Sequence, residues 1–333
     1  MRAVALLLVA ATACAYDVPW TPGNYGPDGP FTGASPGKIT LNPGADRTPA
    51  WLPGDTGVLY SVERGDPPHD RCFGVLSARQ WTIERWLCHL NPAAADSVNA
   101  FEWPAVRGDG RLAYQRAVWM TTSLAPISRS LVVATLDRWD DARLLLAFPT
   151  GGGPNSSAEG ARDVAWLDDT SLVFVREVMD VARNPTTGRI DTTVTPLDVE
   201  RVDFGGAAAI VTVVPGTAGA TSVAVNDSGT AIYYTLGGDT VVYRRHFAAG
   251  VVDTVYAFAA GAAPSDVQVR GARLLAIVAG DLHVVDLQAR SEVVIPGPGV
   301  AFAHPALSAS GRTVVVEGAV GSGAPDLWRV LLP

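Results

Sequence analysis

The chain has 333 residues, of which 48% are hydrophobic and 17% charged, and its formal net charge is −8. The high apolar fraction and low charge exclude an intrinsically disordered chain, and the three Cys residues are too few for a disulfide-dense mini-protein. Nucleic acid is not an expected partner, because nucleic-acid-binding faces are basic.

The N-terminus has the pattern of a secretory signal. Arg2 is followed by eleven uncharged, mostly apolar residues and then by Cys14, and this stretch is shorter than the roughly 20 residues that cross a bilayer. The segment Ala11-Thr12-Ala13-Cys14 resembles the lipobox of bacterial lipoproteins, in which the Cys is lipidated and becomes the new N-terminus. The resemblance implies a membrane anchor on Cys14, and ordinary signal cleavage nearby is the alternative.

A Gly- and Pro-rich segment follows. Ten of residues 19–37 are Gly or Pro, without hydrophobic periodicity, which is typical of a tether. We therefore assign residues 1–13 to a signal peptide, 14–37 to a lipid-anchored tether and 38–333 to the folded domain. We expect an exported lipoprotein of the outer membrane that faces the periplasm or the surface, and the alternative is a soluble periplasmic or secreted protein.

The two remaining cysteines form a candidate disulfide. If Cys14 is lipidated or removed, Cys72 and Cys88 are left together in an oxidising compartment. Residues 73–87 have the pattern of two strands with a turn near residues 78–80, so the two thiols are expected to face each other across a hairpin. A pair of free thiols is the alternative. A zinc site is not expected, because two Cys and the adjacent His89 leave a tetrahedral ion short of ligands.

The rest of the chain is an internal repeat of β-type segments. Runs rich in Val, Ile, Leu, Thr and Tyr alternate with Gly-, Pro- and Asp-containing turns, which favours an all-β sandwich, barrel or propeller. A short strand, a polar turn and a second apolar strand recur six times at intervals of 38 to 60 residues. The copies begin at Pro49, Pro104, Val164, Val223, Val267 and Pro305.

The turns of these copies carry a family resemblance. Arg107-Gly108-Asp109-Gly110 and Ser308-Ala309-Ser310-Gly311 resemble the Ser-Pro-Asp-Gly turn of TolB-like six-bladed β-propellers, also called the WD40-like or PD40 repeat. Asp326-Leu327-Trp328 is similar to that family's Asp-Leu-Trp strand. The resemblance covers residues 45–333 and implies an all-β, six-bladed propeller with four-stranded blades. The sixth copy ends after three strands, so residues 38–42 are expected to close its blade, with membership of the tether as the alternative.

The sequence contains no recognisable catalytic or metal-binding motif. The five His residues have no metal-ligand spacing. The carboxylate pairs Asp140-Asp141 and Asp168-Asp169 are expected in turns. We therefore predict no catalytic residue, no metal and no cofactor.

Propeller geometry does suggest one binding region. The residues just before each first strand are expected around the mouth of the central channel, where polar groups of both charge signs and one Trp could hold a small ligand, a cation or a peptide terminus. Simple capping of a water-filled channel is the alternative. The nearer residues are Thr48, Trp103, Asp163, Ser222, Asp266 and His304, and those one position earlier include Arg47, Glu102 and Arg162.

The function expected from these features is non-catalytic. We predict a monomeric cell-envelope lipoprotein whose propeller is an interaction scaffold for an envelope protein, a peptide or a glycan. The alternative is an envelope enzyme or small-ligand binder that uses the channel mouth. That alternative requires Glu102, Asp163, Asp266 and His304 to converge.

Overall fold

A computed structural model describes residues 35–40, 44–63, 71–88, 97–120, 125–151, 156–184, 186–188 and 190–332. Within these ranges the chain forms β-strands and one short 3-10 turn at Pro53–Asp55. None of the helical structure in these ranges is long and apolar enough to cross a membrane. Cys14, with the predicted signal peptide and most of the tether, lies outside the described residues.

The strands follow one another in sets that correspond to the sequence repeats. The first strand is β1 (Gly37–Lys38). Blade 1 contains β2 (Asp46–Trp51), β3 (Gly57–Glu63), β4 (Arg71–Ser77) and β5 (Ile83–Leu87). Blade 2 contains β6 (Ser97–Val106), β7 (Arg111–Met120), β8 (Ser128–Thr135) and β9 (Arg138–Phe148). Blade 3 contains β10 (Ser156–Trp166), β11 (Ser171–Arg183), β12 (Ile190–Asp203) and β13 (Ile210–Val213).

The second half of the chain repeats this order. Blade 4 contains β14 (Ala220–Val225), β15 (Ala231–Leu236), β16 (Val241–His246) and β17 (Val252–Ala257). Blade 5 contains β18 (Pro264–Arg270), β19 (Arg273–Val278), β20 (Asp281–Asp286) and β21 (Ser291–Ile295). Blade 6 contains β22 (Ala301–Leu307), β23 (Thr313–Ala319) and β24 (Asp326–Leu331), with β1 as its fourth strand.

The blades form a closed ring. Strands within a blade pair antiparallel in chain order, and the first strand of each blade contacts the first strand of the next. The contact between β22 and β2 closes the circle. This confirms the predicted six-bladed propeller with four-stranded blades, in which the first strands surround the central axis.

The N-terminal strand completes the last blade, as predicted. In β1, Gly37 lies opposite Arg329 and Lys38 opposite Trp328 of β24. The pairing continues past β1, because the Ile39 N–H donates a 2.8 Å hydrogen bond to the Leu327 carbonyl. The strand therefore begins one residue before the predicted range, and residues 41–42 at the end of that range lie outside the described residues. Pairing of β1 covers an edge that would otherwise be open to association.

The hydrophobic core is divided among the contacts between blades. Six buried clusters each draw residues from two adjacent blades, so one cluster fills each interface. Six aromatic residues that recur in the repeat belong to these clusters or pack against them, and they are Trp51, Tyr60, Tyr114, Trp166, Phe174 and Tyr233. Burial of such large rings contributes much of the apolar area that holds the blades together.

Two tryptophans add a directional bond to this packing. The indole N–H of Trp51 donates to the carbonyl of Ala306 at 2.9 Å, and that of Trp166 donates to the carbonyl of Ala105 at 2.9 Å. In both cases the acceptor lies in the innermost strand of the preceding blade. These two bonds constrain how blade 1 is oriented against blade 6 and how blade 3 is oriented against blade 2.

Blade 1 contains the predicted disulfide. Cys72 lies in β4 and Cys88 directly follows β5, and their sulfurs are bonded at 2.05 Å. The two strands flank a turn at residues 78–80, as expected from the sequence. One local expectation is wrong: Asp140 and Asp141 lie within β9 instead of a turn, because pairing of β8 with β9 begins at Arg138.

Candidate functional site in the central channel

A β-bulge interrupts the innermost strand of every blade at the same place. The register shifts lie between Arg47 and Ala50, Glu102 and Ala105, Arg162 and Ala165, Ala220 and Ser222, Ser265 and Gln268, and Ala303 and Ala306. Five non-glycine residues in these bulges have left-handed φ angles of 46° to 56°, namely Thr48, Trp103, Asp163, Asp266 and His304. Bulges of this kind redirect side chains out of the regular strand pattern.

The bulge residues line one cavity. Its volume is about 60 Å³, and its wall contains all six residues predicted nearest the channel: Thr48, Trp103, Asp163, Ser222, Asp266 and His304. The sequence placed them just before the first strands, and this is wrong, because each inner strand continues on both sides of its bulge. The structure therefore brings these six side chains together inside the channel.

The channel widens on one face. A funnel of about 760 Å³ is lined by the turns that join the first and second strands, including Arg107, Asp169, Asp227 and Arg270. The funnel and the small cavity share five lining residues, which are Pro49, Pro104, Val164, Ala165 and Gln268. The small cavity therefore adjoins a much larger polar opening.

Charged side chains form a connected cluster at the cavity. The carboxylate of Asp266 lies 3.4 Å from Arg162 and 3.3 Å from His304 Nε2, and His304 Nδ1 lies 2.6 Å from Glu317. Burial alone would lower the pKa of His304, but the carboxylates of Asp266 and Glu317 raise it to about 9. His304 is therefore an imidazolium at neutral pH.

Trp103 packs against both cations of this cluster. Its ring meets His304 edge-on with centroids 4.7 Å apart, and the Arg162 guanidinium lies 5.2 Å from the Trp103 centroid. Contacts of this kind between cations and aromatic rings are favourable, more so when water is excluded. Trp103 thus links blade 2 to blades 3 and 6 across the channel.

Asp163 has a different environment from the other carboxylates. It accepts a 3.3 Å hydrogen bond from the Val223 backbone N–H, and the Ser222 hydroxyl also bonds to it. Burial raises the pKa of Asp163, Arg162 opposes that effect, and the neighbouring charge of Asp266 raises the pKa further. The result is a carboxyl group in the cavity wall whose proton is held more firmly than usual.

The residues one position earlier do not line the cavity. Glu102 accepts a 2.9 Å hydrogen bond from Gln115 and lies 3.9 Å from Arg129, whose other partner is Glu177 at 2.6 Å. Arg47 is exposed. Of the four groups that the ligand-binding alternative required, Asp163, Asp266 and His304 line the cavity and Glu102 does not.

Polar side chains at this level also join the blades. Each of the six interfaces is crossed by such a contact. Ser61 donates to the Phe101 carbonyl between blades 1 and 2, the Ala161 N–H donates to Gln115 between blades 2 and 3, and the Val223 N–H donates to Asp163 between blades 3 and 4. The Val267 N–H donates to Ser222 between blades 4 and 5, His304 pairs with Asp266 between blades 5 and 6, and the Thr48 N–H donates to Glu317 between blades 6 and 1. This ring of polar residues around the channel therefore also holds neighbouring blades together.

Sequence reasoning missed the second-strand members of this ring. Ser61, Gln115 and Glu317 are buried polar residues at the same repeat position, each directly after Tyr60, Tyr114 or Val316. A polar residue inside an otherwise apolar strand was the available signal. Because burial of a polar group requires a partner, that signal pointed to hydrogen bonds across the blades.

Comparisons with known proteins show the fold. No family model matches the chain, and no curated protein matches it. The gluconolactonase XC5397 of Xanthomonas campestris matches over 91% of each chain at 17% identity, with a TM-score of 0.55. The calcium-binding protein regucalcin of Agrobacterium tumefaciens matches over 90% of this chain and 94% of its own at 13% identity, with a TM-score of 0.56.

TolB of Acinetobacter baumannii is also similar, over 78% of this chain and 56% of its own, at 14% identity and a TM-score of 0.46. The gluconolactonase and regucalcin similarities agree with the propeller fold, and membership of the TolB-like family stays a prediction.

The prediction of a non-catalytic scaffold is wrong. It rested on the lack of a linear catalytic motif, whereas a solved propeller that matches over 91% of this chain is a gluconolactonase. A propeller site is assembled from side chains of several blades, so sequence spacing carries little information about it. The lack of a motif therefore does not exclude catalysis.

A calcium site like the one implied by the regucalcin name does not fit this channel. Among the described residues, no group of three or more His, Cys, Asp or Glu side chains is arranged to hold a metal ion. The carboxylate of Asp266 is instead already engaged by Arg162 and His304, so it is not free to coordinate a calcium ion.

Proposed function

We propose that the protein binds a small polar molecule in its central channel. The observation that carries this proposal is the convergence of one inner-strand residue from each of six blades on a single cavity beside the 760 Å³ funnel. Small-molecule sites are concave, have volumes of roughly 300–1,000 Å³ and contain a few placed polar groups. The funnel has the required size, and the cavity at its base supplies the polar groups.

Hydrolysis is a second candidate function for the same site, favoured by the environment of Asp163. Its raised pKa makes it a candidate acid–base group, because such groups work best with a pKa near the ambient pH. As a base, Asp163 would take a proton from a water molecule that attacks a substrate carbonyl. His304, a cation in the same cavity wall, would then stabilise the negative charge that forms on the carbonyl oxygen. Collapse of the tetrahedral intermediate would break the bond from the carbonyl carbon to the leaving oxygen, and Asp163 would return its proton to that oxygen.

The gluconolactonase with the same fold suggests a first substrate. We expect purified protein to open D-glucono-1,5-lactone faster than buffer alone, with acid release followed by a pH indicator. Asp163→Asn should abolish the excess rate. Asp180→Asn is the matched control, because Asp180 is exposed in β11, and this change should leave the rate unchanged.

The binding proposal is tested separately. D-Glucose, D-glucono-1,5-lactone, n-propylammonium, n-propanol and propionate are each added to the protein, and the unfolding temperature is measured. Binding to the native state raises that temperature. The proposal is supported if at least one probe raises the unfolding temperature of the wild type and raises it less in Trp103→Leu or Asp163→Asn. If no probe stabilises the wild-type protein at millimolar concentration, the channel is not a small-molecule site and the proposal fails.

We also propose that the protein is exported and carries a lipid on Cys14. The sequence of residues 1–14 supports this, and so does the disulfide between Cys72 and Cys88, because disulfides persist in oxidising compartments. Intact-mass measurement of protein from host membranes tests the proposal. A diacyl- or triacylglyceryl adduct on Cys14 is expected, and an unmodified chain in the soluble fraction would overturn it.

A further inference from the structure

The charges around the channel alternate in sign and pair with one another. Arg129 lies 2.6 Å from Glu177 and 3.9 Å from Glu102. Asp266 lies within 3.4 Å of Arg162 and His304, and Glu317 contacts His304 at 2.6 Å. Each of these four carboxylates therefore has a cationic partner within ion-pair distance.

Asp163 is the exception. Among the described residues, no guanidinium, ammonium or imidazole group is recorded within 4.0 Å of its carboxylate, although its side chain lines the cavity. Its hydrogen bonds come from the Val223 N–H and the Ser222 hydroxyl, which are neutral donors, and the positive charges of Arg162 and His304 act on it from beyond ion-pair distance. With Asp163 ionised, the five carboxylates exceed the three cations of the cluster, Arg129, Arg162 and His304. The cavity therefore has an excess of negative charge at Asp163.

The neighbouring blade supplies an aromatic ring to the same cavity. Trp103 lines the same cavity as Asp163 and already takes a guanidinium at 5.2 Å from its centroid. An aromatic face beside a carboxylate is suited to an ammonium group, because the ring attracts the cation and the carboxylate neutralises it. A carboxylate or phosphate ligand would instead meet Asp163 and Asp266 at close range, which is unfavourable.

We propose that the ligand of the channel carries an ammonium group, which enters the cavity and pairs with Asp163 beside Trp103. This inference rests on the proposed small-molecule function and specifies the chemical class of the ligand. The cavity of about 60 Å³ has room for an ammonium head, and the funnel would contain the remainder of the molecule. Binding would give Asp163 a cation within ion-pair distance.

The test uses three probes of equal chain length and different charge: n-propylammonium, n-propanol and propionate. Each is titrated into the full-length protein at constant ionic strength, and affinity is measured by saturation-transfer NMR and by thermal shift. We expect n-propylammonium to bind more tightly than either of the other probes. Asp163→Asn should weaken its binding about tenfold or more, which is the scale of a lost charge-assisted hydrogen bond.

Controls separate loss of the site from loss of the fold. Asn at position 163 retains an oxygen for the Val223 N–H, so Asp163→Asn is expected to keep the circular dichroism spectrum of the wild type. Asp180→Asn removes an exposed carboxylate and should leave n-propylammonium binding unchanged. Trp103→Leu tests the aromatic wall and should weaken the same probe.

The outcomes distinguish this inference from the proposed function. If glucose, the lactone, n-propanol or propionate binds and n-propylammonium does not, the channel is a small-molecule site and the ammonium inference is wrong. Equal binding of n-propylammonium by wild type and Asp163→Asn also overturns the inference. If none of the probes binds, both the inference and the proposed function fail.

Discussion

The backbone N–H of Thr48 donates a 2.5 Å hydrogen bond to Glu317 Oε1, across 269 positions of the chain. The same carboxylate oxygen lies 2.6 Å from His304 Nδ1. One buried atom in blade 6 therefore bonds to blade 1 and also holds the channel histidine. Glu317 therefore contributes both to closure of the ring and to the charge state of the candidate site.

Replacement of Glu317 should affect both properties. Glu317→Gln keeps an oxygen for the Thr48 N–H but removes the negative charge beside His304, so the pKa of His304 should fall from about 9 towards its ordinary value of 6.5. We expect a loss of roughly 2 kcal/mol in unfolding free energy, measured by urea denaturation. NMR titration of the histidines measures the pKa.

The matched control is Glu292→Gln. Glu292 contacts Nδ1 of His283 in a pair that is less buried than the Glu317–His304 pair, so its removal should cost less than about 1 kcal/mol. Equal losses for the two variants would contradict the role given to Glu317.

Stability should fall as pH rises through the alkaline range. The pKa of His304 is raised to about 9 in the folded protein, against 6.5 for the ordinary group. The folded state therefore binds the proton more tightly than the unfolded chain, and this contribution is complete below pH 6.5 and lost as pH rises through 9. We expect a decrease of up to about 3 kcal/mol between these values.

The pH effect is measured as the urea midpoint at each pH. His304→Gln should flatten the decrease, whereas His246→Gln, outside the channel, should leave it unchanged. A wild-type midpoint that stays constant from pH 6.5 to 9 would show that His304 is not held between two ionised carboxylates.

Gly160 should tolerate no side chain. A Cβ built there would lie 2.3 Å from Arg129 Cζ and 2.5 Å from Gln115 Oε1, both of which are buried groups with partners across the blades 2 and 3 interface. Gly160→Ala is therefore expected to displace the Arg129–Glu177 pair at a cost of about 3 kcal/mol. Gly108→Ala is the control, because a Cβ at Gly108 meets nothing within 4 Å. The melting temperature of Gly160→Ala should lie clearly below that of Gly108→Ala, and similar melting temperatures would refute this account.

Loss of the disulfide should destabilise blade 1. Cys72 and Cys88 close a loop with a sequence separation of 16 residues, which is worth roughly 3 kcal/mol in the chain-entropy treatment. Cys72→Ser with Cys88→Ser should lower the urea midpoint by a corresponding amount. Reductant should lower the wild-type midpoint and have no effect on the double variant, and a reductant-insensitive wild type would argue against the bond.

The repeat made the fold predictable because each copy has the same local pattern. The Lys38 region, for example, closes the last blade as expected from the strand that the sixth copy lacks. The channel residues were found from their repeat position alone. Glu317 and Gln115 were not, because their partners lie on other blades and meet them only after the ring has closed.

The left-handed bulges have a consequence for how the channel can evolve. A non-glycine residue at positive φ costs on the order of 1 kcal/mol relative to glycine, which adopts such angles freely. Five such residues, including Asp163 and His304, together carry a strain of about 5 kcal/mol, which is comparable with the net stability of a domain. Glycine at any of them would relax the backbone and delete the side chain that reaches the channel. Directed evolution for thermostability alone should therefore drift towards glycine at these positions, and selection for ligand binding should restore the larger residues.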